Sequence, residues 1–240
     1  MLADSRIRSW NTPKIDMPIN IIVGGYGSGK SEVSVNLARY LVLDKSFTAR
    51  PISILDLDIA NPYFRSREAS AELEKLGISP INPVGAQYYA DLPIILPQIR
   101  GAIESTNGTI ICDVGGDDVG ARVLSSLATS FNSSTYDMIM VLNANRPFTS
   151  DLRGCLKTMA EIEASSRLKF TGIISNTHLM DDTNEAEVQK GINLSLEVSK
   201  ETGLKIFFVS AEVNVLKKIK FTDIDIPVLP LNRSLLKPWE

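Results

Sequence analysis

Gly24 and Gly29 stand five residues apart and are followed at once by Lys30 and Ser31, the spacing G-x-x-x-x-G-K-S. Glycines in such a run let consecutive backbone N–H groups curl around an anion, because no Cβ blocks the approach or the positive φ angles. Gly25, Gly27 and Gly29 would supply those amides, with Tyr26, Ser28 and Glu32 as their neighbours. Lys30 suits the β- and γ-phosphates of a nucleotide, and the Ser31 hydroxyl suits Mg²⁺. Two carboxylate clusters could complete that chemistry. Asp56 and Asp58 alternate at the end of an apolar run, so both side chains share one face. From there one helps to hold hydrated Mg²⁺ and the other orients an attacking water. Asp113 ends a second apolar run and reads as a carboxylate for a metal-bound water, with Gly115 and Gly116 behind it. Asp117 either caps the next helix or positions the nucleophilic water, whereas Asp118 reads as a cap. The candidate catalytic residues are therefore Lys30, Asp58 and Asp117, and the candidate metal ligands Ser31, Asp56, Asp58 and Asp113.

These residues need a scaffold that brings separate strand ends together. Ile19–Val23 is a β-branched run that reads as a buried strand. Val33, Leu37 and Leu41 then recur every four residues, which predicts a helix. Further strands are expected over 52–58, 109–113, 138–142, 170–175, 205–210 and 227–229. Helices fit between them at about 65–76, 98–105, 118–131, 150–165, 184–202 and 212–219. Alternating strands and helices predict an α/β fold, a doubly wound and mostly parallel sheet with helices on both faces. Residues 1–18 read as a lead-in and 19–240 as one domain. In such sheets ligands sit beyond the carboxyl ends of the strands. The polar stretches Asp56–Arg67, Asp113–Asp118, Asn143–Arg146 and Asn176–His178 all follow strands. Residues 77–97, with four prolines and Tyr88-Tyr89, read as an irregular segment, and with Asn61–Arg67 they are where a client or small substrate would bind.

Composition narrows the function classes. A chain of 240 residues that is 44% hydrophobic can bury a full core. A net charge of −3 and a pI near 5.4 provide no basic stripe for a nucleic-acid backbone. The single histidine excludes a His-rich metal site, and the two cysteines, Cys112 and Cys155, read as reduced buried thiols. No apolar run approaches the roughly 20 residues that span a bilayer. The first 20 residues lack the apolar core of a signal peptide, so a cytoplasmic protein is expected.

The motifs GGYGSGKS, DLDIANPYFR, IICDVGGDD, GIISNTHL and DIPVLP, in that order, resemble the ParA/MinD-type P-loop ATPases, a SIMIBI-class group that includes the CobQ/CobB/MinD/ParA nucleotide-binding domains. The resemblance runs from Ile19 to about Arg233. It implies a P-loop NTPase three-layer sandwich with the Asp113 strand beside the phosphate-loop strand. It also implies a Mg²⁺-dependent ATPase that dimerises across its nucleotide and acts as a switch for a protein client. By motif position, Asp58 matches the switch carboxylate, Asn176 the residue that reads the adenine edge, and Pro230 the loop against the base. Two departures stand out. Gly25 occupies the place of the family's second lysine, and Gly120 that of a cluster cysteine. A guanine reader would need Asn-Lys-x-Asp, but the chain has Asn176-Thr-His-Leu179, which favours ATP. His178 reads as a loop or base-edge residue rather than a general base. Two alternatives share the scaffold: a small-molecule kinase or ATP-dependent ligase, using Arg65 and Tyr88-Tyr89, and an ATP-binding module without hydrolysis.

Overall fold

The computed structural model describes residues 10–44, 50–58, 69–81, 97–104, 107–116, 118–131, 135–219, 225–233 and 235. The run Ile19–Val23 forms β1 and is buried throughout. It leads through the glycine loop into α1, Lys30–Leu43. Next come β2 (Ile52–Leu57), α2 (Ser70–Lys75), β3 (Ile78–Ile81), α3 (Pro97–Glu104) and β4 (Thr109–Val114). The second half adds α4 (Asp118–Leu127), β5 (Tyr136–Leu142), α5 (Leu152–Ser166), β6 (Gly172–Ser175), α6 (Glu185–Thr202), β7 (Lys205–Glu212), α7 (Val213–Leu216) and β8 (Val228–Leu231). The strands form one parallel sheet in the order β3-β2-β4-β1-β5-β6-β7-β8. Parallel strands covered on both faces need apolar side chains on both, which is why these runs are nearly continuous in Ile, Val, Leu and Met.

Alternation along each strand divides that apolar content between two cores. Ile21, Cys112, Met138 and Met140 face one side with Val123, Leu124, Cys155 and Met159 of α4 and α5. Ile22, Ile54, Ile111 and Ile139 face the other, with Val33, Leu37 and Leu41 of α1 and Leu73 of α2. The result is the expected three-layer sandwich, with β4 directly beside β1. From β1 the chain goes to β2 and β3, returns as β4, then crosses to β5 on the far side. That reversal places a crevice at the carboxyl ends of the central strands.

Several elements differ from the sequence expectation. Residues 78–81, read as irregular, form an edge strand on β2, where Pro80 sits opposite Ile54. An edge strand tolerates a proline because its missing N–H leaves no ladder bond unmade inside the sheet. The helix expected at 118–131 ends at Leu127 and finishes as a 3₁₀ turn, and β5 begins two residues earlier than expected, at Tyr136. Pro230 lies within β8 rather than on a loop after it. The lead-in is also tied down: the Asn11 carbonyl accepts the Val228 N–H (2.8 Å), and Ile15 packs among the core residues around α1. The α6 boundaries match expectation. Asn184 Oδ1 accepts the Ala186 and Glu187 N–H groups, and Gly203, at φ 75°, closes the helix on Ser199.

Candidate functional site

Between β1 and α1 the chain turns on glycines that no other residue would replace without strain. Gly27 has φ 71° and Gly29 has φ 85°, both in the left-handed region. Ser28 N–H closes the turn on the Gly25 carbonyl at 3.1 Å. Helix α1 opens at Gly29 with no side-chain cap, so its first N–H groups and positive dipole end face the crevice. The loop, Lys30 and Ser31 therefore make a cradle in which a phosphate would meet backbone donors, an ammonium and a hydroxyl.

The side chain of Lys30 is only 6% exposed, and its Nζ lies 3.7 Å from Asp58 Oδ2, itself 2% exposed. Asp56 accepts the Asp58 N–H through Oδ1 at 3.0 Å, which sets the turn after β2. Asp113, fully buried beside Asp56 in the β2–β4 register, completes the group. Neither of its carboxylate oxygens has a hydrogen-bond partner. Burial, and then the negative charge of Asp56, push the Asp113 carboxyl up to about 7, against the opposing charge of Lys30. A carboxylate orphaned in this way beside a phosphate cradle fits a cation. Among the described residues no three acidic, histidine or cysteine side chains stand close enough together to enclose a metal ion by themselves. The reason is local, since Asp56 is engaged with the Asp58 amide and Asp58 with Lys30. A Mg²⁺ here would draw on Ser31, Asp113, water and the nucleotide, rather than on three carboxylates directly.

The far wall comes from the ends of β5 and β6. Asn143, fully buried, donates through Nδ2 to the carbonyls of Gly27 and His178, both at 3.3 Å. Arg146 Nε donates to the Gly27 carbonyl at 2.7 Å. Asn176 Nδ2 donates to the Ser28 carbonyl at 2.8 Å, while its Oδ1 accepts the Ser210 hydroxyl at 2.9 Å. Asn143 and Arg146 were visible in the sequence only as a polar cluster after a strand, and Ser210 not at all. Glu32 faces elsewhere: its carboxylate accepts Asn36 Nδ2 (2.8 Å) and the Leu235 N–H (3.2 Å). Asp117, Asn61–Arg67, Tyr88 and Tyr89 lie outside the described residues, and no side chain is described for Asp118.

His178 accepts the Met180 N–H through Nδ1 at 3.4 Å, so its proton belongs on Nε2, which is buried without a partner. Met180 takes a left-handed backbone at φ 53°, uncommon for a side chain of its size. Burial, reinforced by the charges of Arg146 and Arg233, lowers the His178 pKa from 6.5 to about 4. Between those values the unfolded chain binds a proton that the folded chain does not. Stability from this group is therefore present above pH 6.5 and is lost as pH falls toward 4, to a limit of about 3 kcal/mol. The His178→Gln variant should lose less melting temperature than the wild type between pH 6.5 and 4. Parallel curves for the two proteins would refute this.

No protein-family profile matches the sequence, and no curated protein matches it significantly. Solved structures do resemble the chain. FlhF complexed with GTP and Mg²⁺ is similar at a TM-score of 0.54 and 16% identity, over 87% of this chain and 70% of that one. The FtsY protein of Thermotoga maritima follows at 0.53 and 18%, over 85% and 64%, and chloroplast FtsY of Physcomitrella patens at 0.52 and 15%, over 84% and 61%. The likeness is one of fold: a parallel α/β sheet of the P-loop NTPase kind. The likeness does not single out the ParA/MinD type, and FlhF was solved with a guanine nucleotide. This P-loop domain spans 64% of the length of Thermotoga FtsY. No helix among its described residues is long and apolar enough to cross a membrane.

Proposed function

We propose that this chain is a Mg²⁺-dependent nucleoside triphosphatase that acts as a nucleotide-driven switch for a protein client. The observation that carries the reading is the buried Lys30 ammonium under a loop of positive-φ glycines, 3.7 Å from Asp58 and at the head of α1. Lys30 and the loop amides stabilise charge on the β- and γ-phosphates. Ser31, and Asp113 through water, would hold Mg²⁺, with Asp56 and Asp58 beside them, and the metal would supply positive charge against the phosphates. Asp58 orients the attacking water, and Asp117 is the second candidate for that task. Asn176 and Pro230 line the base. A homodimer closing over the nucleotide is part of this reading, with ATP bound in one state and ADP in the other.

Residue 179 supports ATP as the nucleotide. A guanine's N1 and N2 donors need an acceptor at that position, and Leu179 has none. Asp181, two residues on, is engaged by Arg233 at 2.6 Å. GTP is the second reading, favoured by the guanine nucleotide of the similar FlhF structure. Calorimetry with each nucleotide separates them. We expect binding of Mg·ATP at least tenfold tighter than Mg·GTP, and its weakening when EDTA removes the metal. The reverse ratio would assign GTP, and no heat with either would overturn the switch.

A further inference from the structure

The Gly27 carbonyl accepts two side-chain donors from a different part of the chain. Arg146 Nε reaches it at 2.7 Å and Asn143 Nδ2 at 3.3 Å, both from the carboxyl end of β5. The guanidinium lies close against the loop: a Cβ added to Gly27 would fall 2.7 Å from Arg146 Cζ and Nε. In a trans peptide the carbonyl and the following N–H point in opposite directions. Holding the Gly27 carbonyl outward thus sets the Ser28 N–H, which closes the turn on Gly25. Asn176, holding the Ser28 carbonyl, sets the Gly29 N–H in the same way. Residue 25 carries no side chain of its own, and a Cβ there would meet nothing within 4 Å.

We propose that Arg146 is a positioning residue that clamps the phosphate loop from outside in its anion-accepting shape, before any nucleotide arrives. The proposal rests on the nucleotide-binding reading above. Pre-organisation of this kind lowers the ordering cost of binding. It predicts that the clamp matters to whatever polyphosphate the loop holds, with or without a nucleoside attached. Arginine fits the task because it stays charged and its planar fork lies against the loop backbone while Nε donates.

The test compares wild type, Arg146→Met and Arg146→Lys by calorimetry with two probes, Mg·ADP and inorganic tripolyphosphate, alongside melting temperature. Arg146→Met should weaken both probes by the same factor, roughly 10- to 100-fold for one lost charged hydrogen bond. Its melting temperature should stay close to the wild type. Arg146→Lys keeps a donor and should recover most of the affinity for both, and it decides the matter alone if Arg146→Met fails to fold. A loss confined to ADP would mean a direct contact with the nucleoside and would overturn the clamp. Binding within threefold of wild type in Arg146→Met would overturn it too. Should the wild type bind neither probe, the nucleotide-binding reading fails instead.

Discussion

The Lys30→Ala variant should bind Mg·ATP at least about 30-fold more weakly than the wild type in calorimetry, with no measurable turnover. Truncating one partner of a desolvated charge contact costs about 2–5 kcal/mol, and 2 kcal/mol already corresponds to about 30-fold. Lys30 is desolvated: its side chain is 6% exposed and faces Asp58 at 3.7 Å. Removing it also takes from Asp58 its ion-pair partner and from Asp113 the positive charge that opposes its raised pKa. The nucleotide-free variant should therefore melt below the wild type, because a buried carboxylate left without its cation is costly. Asp58→Ala makes the informative contrast, since it should keep affinity within a few-fold while slowing hydrolysis. Wild-type turnover in both variants would remove these roles.

Gly116→Ala should be nearly as damaging, without touching any charge. A Cβ at Gly116 would lie 2.2 Å from the Gly24 carbonyl oxygen, 2.9 Å from Gly25 C and 3.1 Å from Tyr26 N. All three are backbone atoms, so no rotamer change relieves the overlap. Either the turn after β4 or the phosphate loop must move. Overpacking of this kind costs about 1–3 kcal/mol, which in a chain of this size lowers the melting temperature by on the order of 5 °C. Because the displaced atoms belong to the phosphate cradle, affinity should fall further than stability. Gly25→Ala is the control: its Cβ would meet nothing within 4 Å, so stability should stay within about 0.5 kcal/mol. A Gly116→Ala protein with wild-type melting and binding would mean that the turn packs less tightly against the loop than these distances require.

Much of the fold was legible in the sequence for local reasons. The glycine-lysine run lay between a β-branched segment and a four-residue apolar repeat, and those neighbours became β1 and α1. Asn184 and Gly203 announced the ends of α6 by cap chemistry that needs no tertiary context. Strand β3 was not legible, because Ile78-Ser-Pro-Ile81 resembles its proline-rich surroundings and becomes a strand only by pairing with β2. The candidate site divides along the same line. Lys30 and Ser31 could be named from the glycine spacing before a helix, and Asp56, Asp58 and Asp113 because each closes or follows an apolar strand run. The hold of Arg146 on Gly27 spans 119 residues and has no local signature. The glutamate of the α6 cap carries a similar lesson. Three residues after the Asn184 cap, Glu187 Oε2 accepts Asn145 Nδ2 of the turn after β5 at 2.6 Å, a contact with no local signal.

The strand order has a consequence for how the protein is made. β1 is flanked by β4 and β5, whose residues begin at Thr109 and Tyr136, so β1 gains its first neighbour some 85 residues after its own end and its second more than 110 residues after. Until β4 emerges, the mostly apolar β1 has two open edges and no native neighbour, a species prone to aggregate. Nascent chains arrested before residue 109 should depend on a holdase chaperone, whereas those arrested beyond 142 can already close the centre of the sheet.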